Sequence, residues 1–286
     1  MTNQEMNEKI NQIITDFLFP LKKHENSKEE LAALSLLLRG FVTCNNDSIE
    51  KRPFLLTGIN PSFRPHKGKW EFFLGGYDTP FTFRKAISDS NRQDYWGKKR
   101  EQFGDDLCNT MAYLDLFPIR ESEQRLFEQV FNNPKLTKLR ADLLSITQDA
   151  IEEMKPLLIV HANKDSMYYW GIKKNTPAGD DANDYEHPWM GYKVKRVTLE
   201  TYPDLPSCML QDDRLSLFPL YEIVGFVDSD KRINHIERQE TNLKFIMEYV
   251  IDDRNPKYKG KLYQQKKEKK EWDDIWNWVK KHSQND

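Results

Sequence analysis

The stretch Phe54-Leu55-Leu56-Thr57-Gly58-Ile59-Asn60-Pro61-Ser62 decides the fold. Its first four residues form the short apolar run of a strand buried on both faces, and the next five are polar and conformationally constrained. In an open α/β sheet, ligands bind beyond the carboxyl ends of the strands. An Asn held there on a Pro-fixed turn carries both a donor and an acceptor, so it suits the orientation of a water or a substrate carbonyl. The same letters also fit an Asx-type turn that ends a strand and does nothing more.

Outward from this junction, the chain reads as alternating helices and short apolar strands. Met6, Ile10, Ile13 and Phe17 recur at helical spacing, and Ser27-Lys28-Glu29-Glu30 has the capping-box pattern ahead of Leu31 to Leu38. Two packing helices are therefore expected before the first strand. Residues 61–104 are rich in Gly, Pro and aromatics and weak in periodicity, which predicts a long functional loop region. Met111 to Leu116 reads as the second strand, Ser122 to Phe131 and Lys138 to Lys155 as helices, and Leu157 to Val160 as a strand released by Pro156. A polar insertion, Lys173 to Pro188, precedes Lys193 to Leu199, whose alternation predicts a strand toward a sheet edge. Leu215 to Val227 is a further apolar segment, and Ile236 to Tyr249 reads as a helix. Trp272, Ile275, Trp276 and Val279 give the last segment an amphipathic helical face.

Composition narrows the class. A chain of 286 residues can bury about three quarters of its unfolded surface, enough for one large α/β domain. Cys44, Cys108 and Cys208 are odd in number and widely separated, which argues against a disulfide scaffold and shows no metal-ligating spacing. The first residues, MTNQEMNEKI, lack a basic start leading into an apolar run, and no apolar stretch approaches the roughly 18 residues of a membrane span. A cytoplasmic protein with no membrane association is the expectation. The formal net charge of −2 gives no global field that would draw the chain onto nucleic acid, so any such contact is local. The strongest basic stretch, residues 255–271, holds seven lysines against two glutamates, and Arg64, His66, Lys67 and Lys69 directly follow the Asn60 loop.

Four segments taken together resemble the uracil-DNA glycosylase superfamily, most nearly its mismatch-specific and single-strand-selective branches. Leu55 to Ser62 is similar to the strand and loop in which an Asn orients the attacking water, a role that falls on Asn60, with Gly58, Ile59, Pro61 and Ser62 around it. Thr79-Pro80-Phe81 resembles the segment whose aromatic ring stacks on a flipped base, although the longer gap before it leaves Phe83 and Tyr77 as alternatives. Tyr113 to Ile119 is similar to the strand end that pairs with the uracil edge, which places Asp115 and Phe117 at the pocket. Ile151 to Val160 resembles the supporting helix-Pro-strand, with His161 starting the next loop. The last motif finds its best match by order at Tyr202-Pro203-Asp204-Leu205-Pro206-Ser207, so Tyr202 stands where the family has His.

The resemblance implies a three-layer α/β/α sandwich with a mainly parallel sheet. It makes residues 1–286 one glycosylase-like domain, with a helical extension over 1–40 and a basic, helical one over 255–286. It further implies a hydrolase of the DNA-repair type that cleaves the N-glycosidic bond of a modified or mismatched base with an activated water. Its partner would be DNA or a nucleobase or nucleotide ligand, and no cofactor or metal is expected. The alternative is a noncatalytic nucleotide- or nucleic-acid-binding member of the same fold. A monofunctional mechanism is expected because no lysine falls in a strand-end motif suited to a Schiff base. No G-x-S-x-G elbow, Walker loop or dinucleotide fingerprint follows a strand.

Two departures bear on the chemistry. Cleavage builds negative charge on the leaving base, and Tyr202 offers a hydrogen bond there but no positive charge. An ionised Asp115 only accepts hydrogen bonds, which suits a base that presents N–H groups, unless burial raises its pKa and restores a donor. Asp115 also fits a purely structural role, bonded to backbone N–H groups or paired with Arg120. Further candidates are His161 as a satisfied core histidine or a pocket residue, His187-Pro188 as a substitute for the missing His-Pro pair, and Lys164 and Asp165 as phosphate or loop contacts. Trp96-Gly97-Lys98-Lys99-Arg100 offers an aromatic and three cations to a nucleic-acid backbone, in a pattern that ordinary surfaces also show.

Overall fold

The computed structural model of the protein describes residues 1–21, 28–37, 39–41, 49–61, 83–90, 95–121, 127–128, 131–162, 166–173, 176–210, 220–233, 237–249 and 269–283. Helices α1 (Asn3–Leu21) and α2 (Lys28–Leu37) precede β1 (Phe54–Gly58). Helices α3 (Phe83–Ser88), α4 (Tyr95–Phe103) and α5 (Asp105–Thr110) lead into β2 (Ala112–Asp115), and α6 (Thr137–Met154) leads into β3 (Leu158–His161). Strands β4 (Tyr192–Arg196), β5 (Leu220–Phe226) and β6 (Phe245–Glu248) follow, and α7 (Lys269–Ser283) comes last.

The six strands form one sheet in the order β2-β1-β3-β6-β5-β4. β1 pairs in parallel with β2 and β3, and β3 with β6, whereas β5 runs antiparallel to both β6 and β4. Every residue of β1 is buried, as a parallel strand covered on both faces requires. β4 alternates buried and exposed positions and lies at the sheet edge, in agreement with its sequence pattern.

Strand alternation splits the core into two. Leu55, Ala112, Leu114, Ile159 and Ile246 join Met6, Ile10 and Ile14 of α1 and Leu143, Leu144 and Ile151 of α6. Phe54, Leu56, Tyr113, Leu158, Val160 and Met247 join Phe103 of α4, Leu107 of α5 and Trp272, Ile275 and Val279 of α7. Trp272 meets Phe54, Phe103 and Tyr249 edge-on, with ring centroids 6.3, 4.5 and 4.9 Å apart, which anchors α7 to the sheet. Helix α6 ends where Lys155 takes a left-handed conformation, φ 51°, ahead of Pro156.

Two expectations are corrected. Ile236 to Tyr249 is not a helix among the described residues: 237–244 are irregular and 245–248 form β6. Leu243, Ile246 and Met247 imitate helical spacing, but pairing with β3 on one side and β5 on the other fixes the segment as a central strand. Part of 61–104 is also regular, since α3 and α4 lie within it. Of the helix expected over 122–131, residues 122–126, 129 and 130 lie outside the described residues. No helix among the described residues is long and apolar enough to cross a membrane.

Candidate functional site

The segments that follow β1 and β2 run side by side past the strand ends. Leu116 N–H donates to Gly58 O (3.0 Å), Phe117 N–H to Ile59 O (2.8 Å) and Glu121 N–H to Pro61 O (2.9 Å). The half-buried Asn60 is locked between them. Its Nδ2 donates to the carbonyls of Glu121 (2.8 Å), Pro61 (3.2 Å) and Ile119 (3.3 Å). Three acceptors around one atom fix the amide orientation, because a rotated amide would set Oδ1 against carbonyl oxygens. Oδ1 is thereby turned away from this tie, and no described residue donates to it. The tie is itself braced by the Arg39–Glu121 ion pair and by the bridge between Phe41 and Ile119.

Asp115 lies on the adjacent strand, opposite Gly58 in the register. Its Oδ1 accepts the Tyr113 hydroxyl at 2.7 Å, two residues back on the same face. A Cβ on Gly58 would overlap Asp115 Oδ1 and come within 2.6 Å of the Tyr113 hydroxyl, so the glycine is what lets the carboxyl lean over β1. The Trp96 ring meets Tyr113 edge-on at 4.7 Å. Burial pushes the Asp115 carboxyl up to about 7, against the opposing effects of the Tyr113 hydrogen bond and the Lys99 charge. Lys99, one helical turn after Trp96 on α4, is 1% exposed. The basic string Lys98-Lys99-Arg100 is therefore no uniform surface patch: Lys98 is exposed while Lys99 points inward.

His161 belongs to the other face. It is fully buried, with Nδ1 2.7 Å from Ser166 Oγ and 3.0 Å from Thr57 Oγ1, and its ring sits edge-on to Trp170 at 5.4 Å. Burial holds its pKa down at about 3, so it is neutral at ordinary pH. Phe117 is packed by Phe127, Phe131 and Tyr169 at 5.6, 5.4 and 4.8 Å, and Ile59 is buried in the same core. Both act as packing residues that hold the strand ends in register.

Tyr202 and Ser207 stand elsewhere. The Tyr202 ring packs on Phe245 at 5.1 Å and its hydroxyl donates to Glu222 of β5, which with burial raises its pKa. Phe245 aligns through Leu158 with Phe54, four residues before Gly58. That offset is about 13 Å along the strands and about 10 Å across them, so Tyr202 and Asn60 are not brought together. Ser207 is exposed and lines a groove against α7 with Asp204, Cys208 and Trp278. His187 precedes β4, with its ring against Tyr168 (5.0 Å) and Nδ1 3.2 Å from Asp184, at the amino end of the strand. Asp184, Glu186 and His187 bring three ligand-type atoms within 4.8 Å of one another. Ser62, Tyr77, Phe81, Lys164 and Asp165 lie outside the described residues, as does the side chain of Phe83.

No family model, curated protein or solved structure matches the chain. The chemistry is therefore read from the site alone. At the carboxyl ends of β1 and β2 stand an oriented amide acceptor, a carboxyl that burial pushes up to about 7 and a hydroxyl bonded to it, and the charge of the buried Lys99 of α4 acts on that carboxyl. Such a set suits water positioning together with proton donation, which is the division of labour of a hydrolytic site. Tyr113 escapes the sequence reading as a site residue, and Lys99 enters it only as one of three cations offered to a nucleic-acid backbone. The signals that point to them are the i, i+2 pairing of Tyr113 with Asp115 on a strand and the i, i+3 pairing of Trp96 with Lys99 on a helix.

Proposed function

We propose that the protein hydrolyses the N-glycosidic bond of a modified or mismatched base, with Asn60 Oδ1 orienting the attacking water, on a glycosylase-like α/β/α fold of the uracil-DNA glycosylase type. The observation that carries this reading is the Asn60 tie: three carbonyls hold Nδ2 and leave the acceptor oxygen outside the tie, two residues past Gly58, which pairs with Asp115 in the register. An acceptor so fixed lowers the entropic cost of placing a water for in-line attack. The likeness to the superfamily supports the reading at Leu55 to Ser62 and at Tyr113 to Ile119. It gains less from the last motif, since Tyr202 is bonded to Glu222 on the sheet face.

The same tie also favours a second reading. Hydrogen bonds from one side chain to three backbone carbonyls are a structural joint, and a joint at a strand end suffices for a noncatalytic protein that binds nucleotide or nucleic acid in the same place. Base release from single-stranded and mismatched oligonucleotides containing uracil, hypoxanthine, xanthine or an alkylated base separates the two. The hydrolytic reading expects release of at least one base and its loss in Asn60→Ala. A parent that leaves every base intact, yet binds an oligonucleotide in an Asn60-dependent way, establishes the binding reading instead.

A further inference from the structure

Within the proposed hydrolytic reading, on which this inference rests, a question remains about how the leaving base is neutralised. Tyr202 is far from Asn60, and His161 is sealed in the opposite core. On the α4 and α7 face, the Asp115 carboxyl lies against Gly58 at the end of β1. Tyr113 holds one of its oxygens, and Oδ2 takes no hydrogen bond from any described residue. The Gly58 gap lets that carboxyl lean over the end of β1, two residues before Asn60 in the chain. Such a carboxyl, 5% exposed and fixed at one oxygen, presents its second oxygen in a defined direction.

We propose that Asp115 is the general acid of the site and that the substrate is a purine-type base, which accepts the Asp115 proton on a basic ring nitrogen as its glycosidic bond breaks. Purines leave poorly as anions and well once a ring nitrogen is protonated, whereas uracil, whose negative charge spreads onto carbonyl oxygens, has less need of a proton donor. The C1′–N bond breaks with its electron pair on the base, the Oδ2 proton passes to a ring nitrogen of that base, and the water held by Asn60 bonds to C1′. The water's released proton goes to solvent, and Asp115 recovers a proton from solvent for the next turnover.

The groups around Asp115 tune this acid. Burial favours the neutral form, while the Tyr113 hydroxyl on β2 and the Lys99 ammonium from α4 favour the carboxylate, and the balance falls near neutrality. Gly58 of β1 adds no charge, and the Trp96 ring of α4 meets Tyr113 edge-on. Lys99 thus acts through Asp115, as a positioning residue for its proton.

The test is single-turnover release of hypoxanthine and of uracil from single-stranded oligonucleotides between pH 5 and 9. Hypoxanthine release is expected to fall about tenfold per pH unit above a midpoint near 7, as the acid ionises. Asp115→Asn, isosteric and unable to give up its proton, should slow hypoxanthine release by about a hundredfold or more and abolish that limb. Tyr113→Phe and Lys99→Met should each move the limb to higher pH, a shift that a merely structural role would not produce. Hypoxanthine release that keeps its rate and pH limb in Asp115→Asn overturns the inference while leaving the hydrolytic reading in place. A parent that releases none of uracil, hypoxanthine, xanthine or an alkylated base overturns both.

Discussion

Gly58 and Asp115 face each other across β1 and β2, and the Asp115 carboxyl occupies the space that a Cβ on Gly58 would need. The glycine is therefore required by close approach of a side chain rather than by its own backbone, since its φ is not among the positive values. Gly58→Ala should displace Asp115 from the Tyr113 hydroxyl and cost about 1 to 3 kcal/mol of stability, the usual range for overpacking. Urea denaturation of Gly58→Ala, Asp115→Ala and the double variant reads the coupling. Additive costs would show that the two residues do not compete for one space.

Asn60→Ala should reduce base release about a hundredfold or more, because the water loses its oriented acceptor. The three carbonyl bonds also make this substitution costlier to the fold than a loop-end Asn suggests, at about 1 to 2 kcal/mol, since the Glu121, Pro61 and Ile119 carbonyls lose a shared donor. Activity measured well below the melting temperature of the variant separates the two effects. Release within tenfold of the parent in a folded Asn60→Ala would remove Asn60 from the chemistry and leave it the structural joint.

Tyr202→Phe should leave base release within about threefold of the parent and cost about 1 kcal/mol, because only the bond to Glu222 is lost while the ring stays on Phe245. The informative comparison is kcat against KM. A large fall in kcat alone would place Tyr202 in the transition state despite its offset from Asn60.

How much of this was legible follows from what burial does to sequence. β1, β2 and β3 are buried on both faces and so appear as uninterrupted apolar runs, and the polar turn after Thr57 marks the end of the first one. Met247 and Phe245 are also buried, but four residues carry too little pattern to separate a strand from a helix, so the sequence of β6 reads as helical. The Gly58–Asp115 contact is a matter of register between strands more than 50 positions apart in the chain, and no local pattern encodes it. Lys99 looked like a surface cation because its neighbours Lys98 and Arg100 are basic. Only the packing of α4 against the sheet turns it inward. Tyr202 was placed by the order of motifs along the chain, yet order is silent on the strands β5 and β6 that follow and set its neighbours.

Two buried groups should give the stability an opposed pH dependence. Burial pushes the Asp115 carboxyl from its ordinary 3.8 up to about 7, so the folded state binds the extra proton and stability falls as pH rises from about 4 to about 7. His161 has a folded pKa near 3 against 6.5, so the unfolded state binds the extra proton and stability falls as pH drops from about 6.5 to about 3. Each slope is about 1.4 kcal/mol per pH unit, and over the shared range the two largely cancel. Asp115→Asn should uncover the histidine, giving stability that rises with pH up to about 6.5 relative to the parent. His161→Gln should uncover the carboxyl, giving stability that declines from about pH 4 to 7. Urea midpoints at half-unit steps between pH 4 and 8 check both signs at once. Variant profiles parallel to the parent's would mean that burial shifts neither group, and would withdraw the acid at the end of β2 as well.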